Sequence, residues 1–298
     1  PFVLPNLQGR YALSERTNLR AAWTYSYARP NFRDVIPYRI QQERSEVRWG
    51  NPGLAYPLSR NLDLLYETYW GGRNVLSLGV FHKQIDSFVF NYQIIGYEGD
   101  PTQANFSKVQ LELPLNGLDG EVFGAEFTLQ AMFDGLRGKA SNLGIFANYT
   151  FTHSVGRIGQ RYPANTTINI LTPNGDYSDY FNPDAVEEIP LPGQAPHTMN
   201  AALFYDTPDL YAKISVNFAD RFLYQLGVDS DLDEYYGQAW RVDFNGYVQV
   251  APTVQIFGDV RNLTNAPLLY FLGNPDDGRI RQTEFYSSWA RLGLRAAF

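Results

Sequence analysis

Apolar and polar residues alternate in twos along most of this chain. Between Arg241 and Val250, Val242, Phe244, Gly246, Val248 and Val250 fall on one side, and Arg241, Asp243, Asn245, Tyr247 and Gln249 on the other. The next segment repeats the pattern, with Val254, Ile256 and Val260 opposed to Gln255, Asp259 and Arg261. Leu19, Ala21, Trp23, Tyr25 and Tyr27 make a similar stripe near the start. At the end of the chain Tyr286, Ser288, Ala290, Leu292, Leu294, Ala296 and Phe298 share one face, backed by Trp289, Arg291, Gly293 and Arg295. Successive side chains of a strand point to opposite faces, whereas a helix would lose this register within one turn. The pattern predicts eleven strands, over 6–13, 16–28, 59–70, 73–92, 118–133, 141–155, 196–207, 210–225, 238–250, 253–265 and 281–298.

The connections alternate in length. Short ones are Leu13–Ser14–Glu15, Gly71–Gly72–Arg73, Phe133 to Ala140, Thr207–Pro208–Asp209 and Ala251–Pro252; long ones cover 29–58, 93–117, 156–195, 226–237 and 266–280. Antiparallel hairpins with short turns at one end and long loops at the other are the signature of an all-β transmembrane barrel, with periplasmic turns and extracellular loops. Bacterial single-chain barrels have even strand counts, and lipid does not tolerate open sheet edges, so an odd count of eleven points to part of a larger barrel. A secreted β-sandwich is the alternative, but loops approaching 40 residues are uncommon there.

Composition narrows this further. Aromatics reach 15% against 18% charged residues, and no apolar run is long enough for a helical span, which needs about 18 residues. A barrel escapes such a search because only every second residue meets lipid. The net charge of −7 argues against nucleic acid as a partner. Nearly all basic residues are Arg, whose planar fork suits ion-pair ladders on a polar lumen wall; only Lys83, Lys108, Lys139 and Lys213 are Lys. The absence of Cys removes disulfide and thiolate chemistry. Pro1 is followed almost at once by strand pattern, so the chain reads as a fragment of an exported protein.

Five stretches, in order, carry a resemblance. They are YALSERTNLRAAWTYSYARPNFRDVIPY (Tyr11 to Tyr38), GNPGLAYPLSRNLDLLYETYW (Gly50 to Trp70), LSLGVFHKQIDSFV (Leu76 to Val89), VRNLTNAP (Val260 to Pro267) and RLGLRAAF (Arg291 to Phe298). Together they resemble the C-terminal half of the barrel of TonB-dependent outer-membrane receptors, most of all the branch common in Caulobacter- and Xanthomonas-like bacteria. Residues that match the family pattern are Arg29, Pro30, Asn31, Phe32, Asn51, Pro52, Leu54, Asp63, Glu67, Asn262 and the terminal Phe298. The resemblance implies that 1–298 is part of a 22-stranded barrel, with the plug domain, TonB box and N-terminal strands outside this sequence. It implies a multi-pass protein of the bacterial outer membrane, in contact with lipid and lipopolysaccharide, that binds a scarce ligand such as a ferric siderophore or oligosaccharide. Import would draw on TonB, without a cofactor and without enzymatic activity.

The expected extracellular segments hold Tyr92, Tyr97, Phe106, Tyr162, Tyr177, Tyr180, Phe181, Tyr224, Tyr235, Tyr236, Trp240, Tyr270 and Phe271, with Arg221, Arg241 and Arg281 near upper strand ends. Aromatic faces suit stacking on sugars or catecholate rings, and Arg suits carboxylates or phosphates. The ligand-binding candidates are Tyr92, Arg221, Tyr235, Tyr236, Trp240, Arg241 and Arg281; the bland reading of the aromatics is a girdle at the membrane interface. Asp229, Asp231, Asp233 and Glu234 form an acidic cluster that fails the calcium-loop template, because Glu234 stands where Gly is needed and Trp240 where a bidentate Glu is needed. It reads as a solvated loop. His82, His153 and His197 lie in separate strands, and Ser154 beside His153 points to the opposite face, so neither a metal site nor a nucleophile pair is supported. GLRGKAS (Gly135 to Ser141) has the wrong glycine spacing for a phosphate loop and reads as a turn. The alternatives to a TonB-dependent receptor are a self-standing passive porin of about twelve strands, a secreted glycan-binding sandwich and a barrel hydrolase.

Overall fold

The computed structural model describes residues 3–43, 46–98, 107–162, 168–169 and 181–297. Phe298, Phe106, Tyr177 and Tyr180 lie outside the described residues. Eleven strands form one continuous antiparallel wall in chain order. They are β1 (Asn6–Ser14), β2 (Thr17–Tyr27), β3 (Leu58–Trp70), β4 (Asn74–Asp86), β5 (Asp119–Met132), β6 (Leu143–Arg161), β7 (His197–Asp206), β8 (Leu210–Ala219), β9 (Ala239–Ala251), β10 (Val254–Arg261) and β11 (Trp289–Ala296). These are the eleven strands that alternation predicts, changed mainly at their upper ends: the 141–155 strand runs on to Arg161, the 253–265 strand stops at Arg261, and three others bend away. The 73–92 strand breaks at Ser87, where φ is 57° and the backbone turns off the wall. The 210–225 strand breaks after Ala219, and residues 280–284 leave the last strand for a separate sheet. A pattern of period two cannot mark such bends, because the alternation continues through them.

Register fixes the two faces of the wall. Phe218 stands opposite Trp240, Val216 opposite Val242 and Ile214 opposite Phe244, while Asn217, Ser215 and Lys213 face Arg241, Asp243 and Asn245. The apolar side has no protein over it: Leu292 is 81% exposed and Leu294 65%. Burial of these side chains requires an apolar surrounding that the chain does not supply, which is the demand of a lipid-facing wall. The polar side carries hydrogen-bonded and ion pairs such as Arg20–Glu67 at 2.7 Å and Arg291–Asp259 at 2.6 Å. Short turns close one end, including Gly71 and Gly72 with φ of 58° and 78°, a conformation glycine adopts without steric cost. Among the described residues β1 pairs only with β2 and β11 only with β10, leaving both edges of the wall open.

The long connections are more ordered than alternation suggests. They build two further sheets above the wall. One takes Ile168–Asn169, Val89–Glu98, Ser107–Asn116, Glu46–Trp49 and Arg39–Glu43 in that spatial order. The other takes Phe222–Gln225, Glu234–Tyr236, Leu268–Leu272 and Ile280–Glu284. A buried apolar cluster lies here, around Trp49, Phe90, Tyr92, Ile94, Leu111, Leu113, Ile158, Phe181, Leu223 and Leu226. Each fully buried side chain of this size contributes about 1.5–3 kcal/mol before ordering costs. The two sheets join where Gln93 N–H donates to the Leu226 carbonyl at 2.9 Å. The long connections are thus one packed cap.

The assignment of faces has a direct consequence. Phe244→Arg, on the apolar side near the middle of β9, should cost about 2–4 kcal/mol in urea refolding into lipid vesicles. Ser215→Arg, on the polar side beside Asp243, should stay within about 0.5 kcal/mol. Equal costs for the two would mean that the faces are assigned wrongly.

Candidate ligand-binding vestibule

Arg161 holds the cap to the wall. It sits at the top of β6 with 4% of its side chain exposed, and its guanidinium spans two carboxylates. Nη1 donates to Asp233 Oδ1 at 2.5 Å and Nη2 to Asp233 Oδ2 at 3.2 Å, while Nε and Nη2 reach Glu187 at 3.1 and 2.5 Å. Nη1 also donates to the Gly227 carbonyl at 3.1 Å, and the Gly227 N–H returns to Asp233 Oδ1 at 2.8 Å. Burial pushes the Asp233 carboxyl up, and Arg161 and the Gly227 N–H pull against that rise. The acidic cluster of residues 229–234 is therefore divided: Asp231 stays at the surface, as a solvated loop requires, whereas the last two carboxylates turn inward. Asp233 and Glu234 are buried, against Arg161 and Arg281 respectively; Asp229 accepts from the Asp231 N–H at 3.0 Å, and Asp231 lies 3.6 Å from Arg279. Neither Arg161 nor Glu187 stood out in the sequence, because they lie 26 residues from each other and Arg161 lies 72 from Asp233, and nothing local marks the pairing.

The seven candidate residues fall into three places. Tyr92 belongs to the cap core: it is 1% exposed, stacks on Phe181 with ring centroids 4.8 Å apart, and has its phenol pushed up by burial. Tyr235 packs against the same core, and burial raises its phenol too. Arg221, Tyr236 and Arg281 lie on or beside the four-stranded sheet. Arg221 forms a two-pronged clasp on Asp276, with Nη2 to Oδ2 at 3.0 Å, holding that carboxyl below its usual range. The clasp borders a cleft of about 490 Å³ that Leu269 and Phe271 also line. Tyr236 and Tyr270 share a hydroxyl–hydroxyl hydrogen bond of 2.7 Å, which raises the Tyr270 phenol. Trp240 and Arg241 sit lower, at the top of β9, on opposite faces. Trp240 packs tilted against Phe218, ring centroids 4.4 Å apart, on the apolar outer side, the position of an interfacial girdle, and Arg241 faces inward.

Residues of the family pattern have structural positions. The Asn31 side chain accepts from the Arg33 N–H at 3.2 Å and caps the one-turn helix Phe32–Val35, which Pro30 precedes. Arg29 gains a hydrogen bond from its partnership with Tyr27, which raises its already high pKa. Asn51 donates to the Pro114 carbonyl at 3.1 Å and accepts from the Gly53 N–H at 2.9 Å, so the Asn51–Pro52–Gly53 turn ties the first long loop to the cap. Asn262 has φ of 52° and accepts from the Ala266 N–H at 2.9 Å, turning the chain off β10. Glu67 pairs with Arg20 on the inner face. The histidines stay apart: His82 meets Glu121 at 2.6 Å, His197 meets the Tyr149 hydroxyl at 2.7 Å, and His153 is exposed.

Below the cap, the inner face of β8–β11 is cationic. Lys213, Arg241, Arg261 and Arg295 have no carboxylate partner among the described residues; Arg261 lies over Trp289 at 5.2 Å and Arg295 bonds Gln255 at 3.2 Å. Asp243 is occupied by Asn217 and by the Asn262 N–H, and Asp259 by Arg291. Cations left unneutralised on a concave wall attract anionic solutes.

Two outcomes follow from this geometry. Arg161→Met leaves Asp233 buried and unpaired, a cost of about 3–5 kcal/mol; amide exchange in 89–98 and 222–236 should quicken together, while Arg157→Met, at an exposed pair, leaves it unchanged. The folded Asp276 pKa is lowered, so its clasp adds stability above the ordinary carboxylate range and loses it as pH falls through the folded value. Exchange in 266–280 should therefore rise at acid pH in the wild type, and Arg221→Gln should abolish that step.

The model of the family TonB dependent receptor-like, beta-barrel matches residues 2–263. No curated protein matches. Among solved structures, a mutant of the ferric enterobactin receptor PfeA from Pseudomonas aeruginosa superposes with a TM-score of 0.61 at 18% identity, over 99% of this chain and 40% of that one. The siderophore receptor PirA from Acinetobacter baumannii gives 0.58 at 13% identity, over 99% and 41%. The ferric-catecholate import receptor Fiu from E. coli K12 gives 0.59 at 12% identity, over 98% and 34%. At such identities the likeness is one of fold, and the chain spans about two fifths of the length of the first two of these proteins. With a family match over residues 2–263, this chain belongs to the TonB-dependent receptor-like β-barrel family, and its eleven-stranded antiparallel wall is of that kind.

Proposed function

We propose that this chain is part of an active transporter of the bacterial outer membrane, which captures a scarce extracellular ligand and imports it with energy passed on by TonB. The observation that carries the reading is the packed cap over a charged inner wall. A passive pore needs an open mouth, whereas a capturing receptor needs ordered extracellular segments that present fixed side chains. The open edges of β1 and β11 also weigh against a self-standing pore, because unpaired strand edges are not stable in lipid. Further strands, a plug domain and a TonB box would come from sequence outside these residues. The apolar outer face would contact lipid and lipopolysaccharide.

For the ligand, the unpaired cations Lys213, Arg241, Arg261 and Arg295 favour an anion, hence a ferric siderophore over a neutral oligosaccharide. The named similarity to receptors for ferric enterobactin and ferric catecholates points the same way. Arg221 and Tyr236, at or near the cleft beside the four-stranded sheet, are our ligand-contact candidates in the cap, with Arg241 below. Arg281, Tyr235 and Tyr92 would act by holding the cap together. No chemical step is assigned to any residue, and the reading is of a receptor rather than an enzyme. Membership of the Caulobacter- and Xanthomonas-like branch is part of the same proposal and rests on the five sequence stretches in combination.

The test is uptake by cells whose own siderophore receptors are deleted and which express the full reading frame. Radiolabelled ferric siderophores and maltodextrins should be supplied in parallel. We expect accumulation of a ferric siderophore that stops in a tonB deletion and on adding a protonophore. Accumulation that survives both treatments would make the protein a passive pore.

A further inference from the structure

The four-stranded sheet of the cap continues the lipid-facing wall upward. Phe222–Gln225 follows β8, Glu234–Tyr236 leads into β9, Leu268–Leu272 follows β10 and Ile280–Glu284 precedes β11, in the spatial order of the strands beneath. Leu223 and Tyr235 turn to the buried apolar cluster. Val122 of β5 joins that cluster from the inner side of the wall, while its neighbour Phe123 is exposed on the outer side. The opposite face of the sheet therefore looks outward, away from the lumen. It carries Phe222, Tyr224, Tyr236 and Tyr270, above Phe218 and Trp240 on the outer side of β8 and β9.

These rings form one patch. Tyr236 lies at its centre, stacked on Phe222 with centroids 5.1 Å apart, with Tyr270 at 4.5 Å and Tyr224 edge-on at 5.0 Å. Tyr224 and Tyr286 stand out to solvent, 48% and 70% exposed. The charge at the edge is negative: Glu284 accepts from the Tyr286 hydroxyl at 2.6 Å and from the Gln282 amide at 2.5 Å. Height follows from the strand beneath. From Trp240 to Val250 the outer stripe of β9 spans about 25 Å, at about 3.3 Å per residue and a tilt of about 40°, which is the height of a barrel's apolar band. Tyr236 precedes Trp240 in the chain and stands about 10 Å higher by the same measure. The patch is thus above the interfacial girdle, at the level of whatever the outer lipid carries over its acyl chains.

We propose that this outward patch docks the neutral sugars in the head of the outer-leaflet glycolipid, which lie on the ring faces of Tyr224 and Tyr286. Tyrosine offers a sugar an apolar face for its C–H groups and a hydroxyl for its polar edge. A carboxylate beside the rings accepts from sugar hydroxyls and repels phosphate, which selects the sugars over the phosphates of the same lipid. Continuity with the lipid-facing wall supplies the partner, because a glycolipid whose acyl chains pack on Phe218 and Trp240 holds its sugars at this height. The inference rests on the reading of the chain as an outer-membrane barrel. It concerns the outer side of the protein, whereas the imported ligand enters from the lumen side of the cap.

The experiment is native mass spectrometry of the full-length protein in detergent, titrated with two lipopolysaccharides. One carries the complete hexose core and the other is truncated after its heptoses, so that both share the same phosphates and acyl chains. We expect the hexose-bearing lipid to bind about tenfold tighter. Tyr224→Ala combined with Tyr286→Ala should reduce it to the level of the truncated lipid, as loss of two ring contacts predicts. Each single Ala variant should lose about threefold, and these decide should the double variant not fold. The corresponding Phe variants keep the rings and should keep most of the preference. Equal binding of the two lipids by the wild type, or an unchanged preference in the Ala variants, overturns the proposal. So does a dimer of the wild type that the Ala variants dissociate, since the patch would then join two copies of the protein. Binding is read on purified protein, so its failure leaves TonB-dependent uptake as proposed, and failed uptake leaves this binding measurable.

Discussion

Backbone hydrogen bonding in a solvent that offers none is the constraint on which the rest of this structure depends. Within lipid every N–H and C=O must find a partner inside the protein, and β1 to β11 pair antiparallel, each with the next in sequence, so that only the outer edges of β1 and β11 are left open. Once the ladder is continuous, side chains can only point out or in. Across β8 to β11 the outward set includes Leu, Ile, Val, Phe and Trp with no protein cover, and the inward set Asp, Asn, Arg and Lys interleaved with Tyr211, Tyr247, Phe257 and Trp289. A wall of this kind has no core of its own, because its apolar side packs on lipid.

The apolar core therefore forms where the chain leaves the membrane. Long connections that would be costly to order individually fold against each other, and their two sheets share one buried cluster. Arg161 is the joint between this cap and the wall. A buried guanidinium is stable there only because Glu187, Asp233 and the Gly227 carbonyl use nearly all its donors. Its position at the end of the longest strand matters, since β6 carries the wall's rigidity up into the cap.

Charged side chains are arranged by height along this axis. The cap presents clasped side chains such as Arg221, and the wall beneath presents cations without a carboxylate partner among the described residues. The aromatic residues divide by face. Trp240 and Phe218 belong to the outer girdle, whereas Tyr92 and Phe181 are interior packing. Aromatic content by itself carries no information on which role a given residue takes.

The sequence by itself determined the wall: eleven strands, their faces and the ends that carry short or long connections, because a period of two is a local property that survives in every strand. It also carried the family pattern, whose Asn31, Asn51 and Asn262 act through hydrogen bonds within a few residues or at a turn. Only the tertiary structure decided that the long connections are sheets rather than loops, that Asp233 and Glu234 are buried, and that Tyr92 is core. Those outcomes rest on Arg161 meeting Asp233, Leu226 meeting Gln93 and Phe88 meeting Gly156, contacts between segments dozens of residues apart. No local periodicity encodes such pairings; they follow from which surfaces the wall brings to the same rim.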